Sequence, residues 1–97
     1  VPQDVAVAAW WYASAAEQGE ATAQYLLGLA YDAGRGVPRD VVLSQKWLIL
    51  AAARADRHQR DIYLRIRDAV ATKMSRAQLH LAQSLAVTWT PAPPITT

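Results

Sequence analysis

Few residues in this chain have the types and spacing that metal binding needs. Its two histidines, His58 and His80, lie 22 residues apart on different predicted helices, and neither has a His or Glu at the spacing of zinc ligands. The absence of cysteine excludes a thiolate metal site, a disulfide and a cysteine nucleophile. We therefore interpret both histidines as solvated helix residues and predict no metal and no other cofactor.

The remaining candidates for catalysis are equally isolated. The segment Gly-Arg-Gly-Val that begins at Gly34 is not followed by the Lys-Ser or Lys-Thr of a phosphate-binding loop, so a turn explains it better. No serine has the flanking glycines of a nucleophile elbow. Asp61 and Asp68 would form an acid/base pair only in a shared pocket, and the arginines spaced around them favour ion pairs on a wet helix face. The sequence thus predicts no enzymatic activity.

The composition is that of a small folded domain. The chain has 97 residues, of which 53% are hydrophobic and 19% charged, so intrinsic disorder is not expected. We expect no signal peptide in it, and it has no apolar run near the roughly 20 residues of a membrane span. We expect one domain with no membrane span, and the compartment, cytoplasmic or periplasmic, stays open.

Positive charge is concentrated in one segment. Residues 54–76, the basic segment, carry seven Lys or Arg against three Asp, although the net charge of the whole chain is only +2. Such asymmetry fits an acidic protein or peptide partner, and Arg57 and Arg60 are its candidate contacts. The alternative is the solvated, ion-paired face of a helix. Nucleic acid is not expected, because Tyr63 is the only aromatic residue between the arginines.

Helix-capping residues divide the chain into five predicted helices. Pro-x-Asp sequences place Asp4 and Asp40 to cap the first and third helices. Glycines end the first two, and Ser75 with Gln78 forms a capping box for the fifth. No strand pattern occurs, so the fold is predicted to be all-α. The predicted helices cover about residues 4–18, 20–33, 40–54, 58–73 and 75–89, and a Pro-rich extended tail covers residues 90–97.

An internal repeat of 36 residues organises these helices. Shifting the chain by that length places VPQDVAVAAWWYASAA, which begins at Val1, over VPRDVVLSQKWLILAA, which begins at Val37. Seven of the sixteen positions are identical, including Trp11 with Trp47. This length suits two short helices with their turns, which is typical of a helical-repeat protein.

The repeat resembles the Sel-one-like repeat (SLR) family, a relative of the tetratricopeptide repeats. The family pattern contains an Ala-rich stretch, Gln-Tyr, Leu-Gly, Tyr, Gly-x-Gly-Val and Asp, followed by Trp and Ala-Ala. The segment AEQGEATAQYLLGLAYDAGRGVPRD, residues 16–40, fills these places, and Trp47 and Ala51 continue them. The resemblance covers about residues 1–54. It implies an α-solenoid of antiparallel helix pairs, with repeat units at about residues 1–19 and 20–54.

The resemblance also implies which residues pack between the helices. Gly28 is expected to lie where two helices approach closely, because a Cβ there would separate them. Trp11 and Trp47 are expected to fill wider gaps beside alanines. The predicted structural core of the repeats consists of Trp11, Ala15, Leu27, Gly28, Tyr31, Gly34, Gly36, Trp47 and Ala51.

The two ends of the repeat array are expected to differ. After Arg54 the pattern decays, and residues 57–89 are predicted to be C-terminal capping helices with a polar outer face. Each of these helices is expected to carry one apolar stripe: Ile62, Ile66 and Val70 on the fourth, and Leu81, Leu85 and Trp89 on the fifth. The helix from Asp4 lacks the first helix of its own unit. One of its apolar sides is therefore expected to be open, or covered by further repeats or by another chain.

The resemblance implies scaffolding or adaptor roles, in bacteria often within envelope or signalling assemblies. We predict a non-enzymatic protein–protein interaction module that presents a helical surface to a protein or peptide partner. The alternative is a structural or accessory subunit held in a larger complex or homo-oligomer through the N-terminal helix, where Trp10 is expected to face solvent. The candidate groove residues on the second helix are Thr22, Tyr25, Leu29 and Asp32, of which Tyr25 could belong to the core instead.

Overall fold

The computed structural model describes residues 4–93, so the predictions for Val1, Pro2 and the last four residues of the tail lie outside the described residues. No strand occurs within residues 4–93, and the all-α prediction is confirmed. The predicted helix ends agree with the observed ones to within two residues. The five helices are α1 (Val5–Glu17), α2 (Ala21–Ala33), α3 (Val41–Arg54), α4 (Arg57–Ala71) and α5 (Arg76–Thr88).

Side-chain caps begin the helices. Asp40 Oδ1 accepts hydrogen bonds from the backbone N–H groups of Val42 and Leu43, both at 3.0 Å. Ser75 and Gln78 bond reciprocally, since each side chain accepts from the other residue's backbone N–H. These caps satisfy amides that have no partner inside the helix, which stabilises a helix by about 1 kcal/mol per cap. Gly34 ends α2 in the left-handed conformation, at φ +70°.

Helix α3 is the centre of the molecule. Helices α2, α4 and α5 pack against it, whereas α1 packs against α2. A helix enclosed on several sides must be apolar or uncharged around most of its circumference. The buried residues of α3 meet this condition: they are Ser44, Gln45, Trp47, Leu48, Leu50, Ala51 and Ala52.

Helices α2 and α3 approach most tightly at Gly28. A Cβ added there would lie 2.8 Å from Leu48 Cγ and 3.2 Å from the carbonyl oxygen of Ser44. The Ser44 hydroxyl donates a buried 2.7 Å hydrogen bond to the carbonyl of Gly28. The hydrogen bond and the absent side chain together fix the spacing of this helix pair.

The prediction that Trp11 belongs to the core is wrong. Its side chain is 62% exposed, whereas that of Trp47 is only 4% exposed. Trp47 is enclosed because Leu27 of α2 and Trp89 at the end of α5 both pack in its cluster. Within residues 4–93, no helix stands against α1 in the place that α2 takes against α3. The same residue type at the same repeat position is therefore left in solvent.

The first residue of each apolar stripe predicted for the C-terminal helices is exposed. Ile62 is 53% exposed and Leu81 is 50% exposed. The next residues along the chain, Tyr63 and Ala82, are buried, and Val70 of the predicted stripe is buried as well. The inward face of α4 therefore runs from Tyr63 to Val70, about two turns later, and Ile62 lies about 100° around the helix from Tyr63.

Candidate functional site

A groove of about 460 Å³ lies between α1 and α2. We call it the α1–α2 groove. Most of its surface comes from alanines and aliphatic side chains, while Asp32 and Arg35 bring charge to the end where α2 finishes. An apolar concave surface with a few charged groups at its edge is typical of a ligand or partner site. The lining residues are Val5, Ala8, Ala9, Tyr12, Leu26, Leu29, Ala30, Asp32, Ala33 and Arg35.

The turn after α2 sets the position of α1 at this end of the groove. Gly36 has φ +79°, and a Cβ added there would lie 2.9 Å from Ala9 Cβ and collide with the carbonyl of Val5. A left-handed backbone in contact with a neighbouring helix allows only glycine. Gly36 therefore brings the start of α1 close to the end of α2, and the groove opens beside that contact.

The four residues predicted to line a groove on α2 do not form one surface. Leu29 and Asp32 line the α1–α2 groove, whereas Thr22 is exposed outside its lining. Tyr25 is half-buried and stacks on Tyr63 of α4, with ring centroids 4.3 Å apart and an interplanar angle of 14°. Tyr25 therefore holds two helices of the molecule together, which was the alternative left open for it.

Asp32 has a second contact besides the groove. Its carboxylate forms an ion pair with Lys73 Nζ, in the turn between α4 and α5. This ion pair ties the end of α2 to the C-terminal helices. Arg35, at the same end of the groove, is exposed and is the charge there that has no such contact within residues 4–93.

Sequence reasoning missed the α1 wall of the groove. Ala8 and Tyr12 lie there, and under the 36-residue shift they correspond to Ser44 and Leu48 of α3. Ser44 and Leu48 pack against Gly28 of α2. The repeat could therefore have identified this wall. The positions of α3 that pack against α2 correspond to positions of α1 that line the groove.

A second apolar surface lies on α1 outside the groove. Trp10 and Trp11 are each 62% exposed, and their rings meet edge to face with centroids 4.9 Å apart. Val7, one turn before them, is also exposed. We call these three residues the open face of α1. Large exposed aromatic side chains in contact with each other favour a protein contact over solvent.

The basic segment forms a third surface. Arg57 and Arg60 are exposed, and Arg60 and Arg67 flank a hollow of about 330 Å³ between α3 and α4. Its apolar floor includes Ile49 and Leu64. Within residues 4–93 the arginine that forms an ion pair is Arg67, with Asp68 at 2.9 Å, so the helix-spaced pairs expected around Asp61 are not formed.

The start of the C-terminal tail returns to the other end of α1. The backbone N–H of Ala92 donates to the carbonyl of Glu17 at 2.6 Å, and Trp89 Nε1 donates to the Glu17 carboxylate at 2.9 Å. Arg54 donates from Nε to the carbonyl of Gly19 and lies over the Trp89 ring. These contacts close the C-terminal helices onto the α1–α2 turn, at the end of α1 opposite Gly36.

Residues 4–93 contain no group of three or more His, Cys, Asp or Glu side chains that could hold a metal ion. The helices found there are too short or too polar to cross a bilayer.

Comparison with known proteins gives one positive result. No curated protein and no solved structure matches the chain. The family model of the Sel1 repeat matches residues 1–20 and 21–56, which is more than half of the chain. Sel1 repeats are non-enzymatic helical repeats and generally act as protein-interaction modules. With the helices α1 to α5 of residues 4–93 and with tryptophans repeated 36 residues apart at Trp11 and Trp47, the chain is an α-solenoid that belongs to the Sel1 repeat family.

Proposed function

We propose that this chain is a non-enzymatic adaptor or scaffold module that binds a protein or peptide partner in the α1–α2 groove. The observation that carries the proposal is the groove itself, a preformed apolar concavity between two well-capped helices. A rigid surface of this kind loses little conformational entropy on binding. Leu29 lies in the groove, and Asp32 and Arg35 at its end give a partner polar contacts.

The test is a pull-down that compares three forms of the chain. Leu29→Arg places a charge inside the groove and should abolish capture of the partner. Val87→Arg adds the same charge on α5, where the native side chain is 84% exposed, and should leave capture unchanged. Capture of the same proteins by all three forms would show that the groove is not the binding site.

A second candidate function rests on the open face of α1. Here the chain would be a structural or accessory subunit, held in a larger complex or homo-oligomer through the exposed pair Trp10 and Trp11. Sedimentation over a range of protein concentrations tests this. Association that Trp10→Ala abolishes and Val87→Ala leaves intact would favour the subunit function, and a monomer at all concentrations would exclude the homo-oligomer.

An acidic partner would find a further contact on the basic segment. Arg60 and Arg67 stand on either side of an apolar hollow, so an aliphatic side chain with a neighbouring carboxylate fits both its floor and its rim. Arg57 is exposed on the same helix. Charge reversal of Arg57 and Arg60 to Glu should then weaken capture of the same partner most at low salt, because exposed charges are screened as the salt concentration rises.

A further inference from the structure

The α1–α2 groove has a filled counterpart in the same molecule. Ala8 and Tyr12 on α1 correspond to Ser44 and Leu48 on α3 under the 36-residue shift. Ser44 and Leu48 are buried beneath α2, with Gly28 against both. Over Ala8 and Tyr12 lies the groove. The groove therefore takes, on α1, the place that α2 takes on α3.

The repeated tryptophans support the same assignment. Trp47 packs in one cluster with Ala23 and Leu27 of α2. Its counterpart Trp11 is exposed and directly precedes Tyr12, a residue of the groove wall, along α1. A helix seated in the groove as α2 is seated on α3 would cover Trp11 as well, and one occupant would account for both features.

The chemistry of the groove walls favours a helix over an extended peptide. An extended peptide brings unpaired backbone N–H and C=O groups that need partners, whereas a helix satisfies its own. The walls are helix faces lined mainly by alanine, valine and leucine, which offer few such partners. An amphipathic helix matches these walls with its apolar stripe.

We infer that the α1–α2 groove binds an amphipathic α-helix of a protein partner, with glycine or alanine against Ala8 and Tyr12 and leucine against Trp11. This inference rests on the proposed function and names the occupant of the same site. The helix runs antiparallel to α1, as α2 runs antiparallel to α3. Its C-terminal end then lies beside Arg35, where a cation favours the negative end of the helix dipole.

A synthetic peptide with the sequence of residues 20–34, blocked at both ends and carrying a fluorophore, is the probe. It has the glycine and leucine that the groove requires. Fluorescence anisotropy with the full chain should show saturable binding. The matched peptide with Gly28→Leu should bind at least about ten-fold more weakly, because an added side chain prevents close approach. Leucine favours the helix more than glycine does, so lost helicity would not explain the weakening.

Variants of the full chain locate the bound peptide. Ala8→Arg fills the groove from α1 and should abolish binding, whereas Val87→Arg should bind as the wild type does. Circular dichroism confirms that each variant is folded. A peptide that displaced α2 from its own place on α3 would bind the Ala8→Arg variant undiminished, and that result would overturn the inference.

The outcomes separate this inference from the proposed function. If the probe peptide does not bind but Leu29→Arg still abolishes capture of the protein partner, the helix is the wrong occupant and the adaptor function stands. If Ala8→Arg does not weaken peptide binding and Leu29→Arg does not reduce capture of the protein partner, both proposals are wrong. A dimer that sedimentation detects and Ala8→Arg dissolves would assign the groove to a second copy of the chain, and would overturn the choice of a partner protein.

Discussion

Trp11 and Trp47 hold the same position in successive repeats, but the two regions around them differ. Trp47 is enclosed between α2 and α5 and is 4% exposed, whereas Trp11, which precedes the groove residue Tyr12, is 62% exposed. Helix α3 has neighbours on three sides, and α1 packs against α2. In a stacked repeat each unit completes the core of the next, so the same residue stabilises the fold in one unit and is available for binding in the other.

The comparison also separates residues that shape the fold from residues that are open to a partner. Around α3, a glycine, a serine hydroxyl and a leucine fix the distance to α2. Around α1, the equivalent positions hold Ala8 and Tyr12, and they line a cavity. Because Ala8 lacks the hydroxyl of Ser44, an occupant of this place would be held mainly by apolar contact.

The largest expected effect is the loss of stability on replacing Trp47 with alanine, and the same replacement at Trp11 is its matched control. Trp47→Ala leaves a cavity at the centre of the molecule and should lower the free energy of unfolding by about 3–5 kcal/mol. Trp11→Ala removes a side chain that is already mostly in water and should change it by about 0.5 kcal/mol or less. Urea denaturation followed by circular dichroism measures both values.

Trp47→Leu provides a milder variant in case Trp47→Ala does not fold. It should remain clearly less stable than Trp11→Leu. Equal losses at the two positions would mean that Trp11 is buried in solution, and the difference between the two regions would disappear.

Substitution at Gly28 should have the next largest effect. Gly28→Leu forces a side chain against Leu48 and should cost about 1–3 kcal/mol, the usual range for overpacking. Leu48→Ala opens space at the contact, so the double variant should lose less than the sum of the single ones. Thermal and urea unfolding of all four proteins give the coupling free energy.

Simple additivity in that cycle would contradict a direct contact between the two positions. Gly28→Leu in the full chain tests the contact between α2 and α3, and Gly28→Leu in the probe peptide tests the α1–α2 groove. The two results therefore compare the packing site on α3, which α2 occupies, with the equivalent open site on α1. A large penalty in both would show that both require a small residue.

The helices and their limits were predictable from the sequence because local interactions determine them. Asp4 and Asp40 cap the helices they precede, Gly34 ends α2, and Ser75 with Gln78 forms the capping box. Each of these depends on residues within one helical turn. No neighbouring helix is needed for them to act.

The exposure of side chains was less predictable because it depends on neighbours distant in the chain. Trp11 satisfies the repeat pattern as well as Trp47 does, and only the missing neighbour distinguishes them. Tyr25 and Asp32 share a helix side with Leu29, but contacts with Tyr63 and Lys73 engage them within the molecule. The α1 wall of the groove was accessible to sequence reasoning only through the repeat shift.

The contact between α2 and α4 should contribute less than the contact between α2 and α3. Tyr25 and Tyr63 stack at 4.3 Å, and a double-mutant cycle with leucine at both positions should give a coupling free energy of about 0.5–1.5 kcal/mol. Leucine keeps much of the apolar contact, so the cycle isolates the interaction between the rings. A coupling near zero would free Tyr25 to act as a binding residue, as first predicted.

The smallest expected effect concerns the end of α1 away from the groove. Trp89 Nε1 donates to the Glu17 carboxylate at 2.9 Å in an exposed position. Glu17→Ala alone mixes the lost hydrogen bond with the removal of a negative charge from a helix C-terminus, which is itself favourable. A double-mutant cycle with Trp89→Phe cancels that contribution, because the charge is removed in the presence and in the absence of the indole N–H.

The coupling free energy in this cycle should be about 0.5–1 kcal/mol, since solvent competes for an exposed hydrogen bond. Urea denaturation of the four proteins measures it. Because these residues close the C-terminal helices onto the α1–α2 turn, the variants should also leave affinity for the probe peptide unchanged, as the groove lies mainly along the other end of α1. A loss of peptide affinity in Glu17→Ala would instead show that the two ends of α1 are coupled, so that this contact holds the groove in its binding shape.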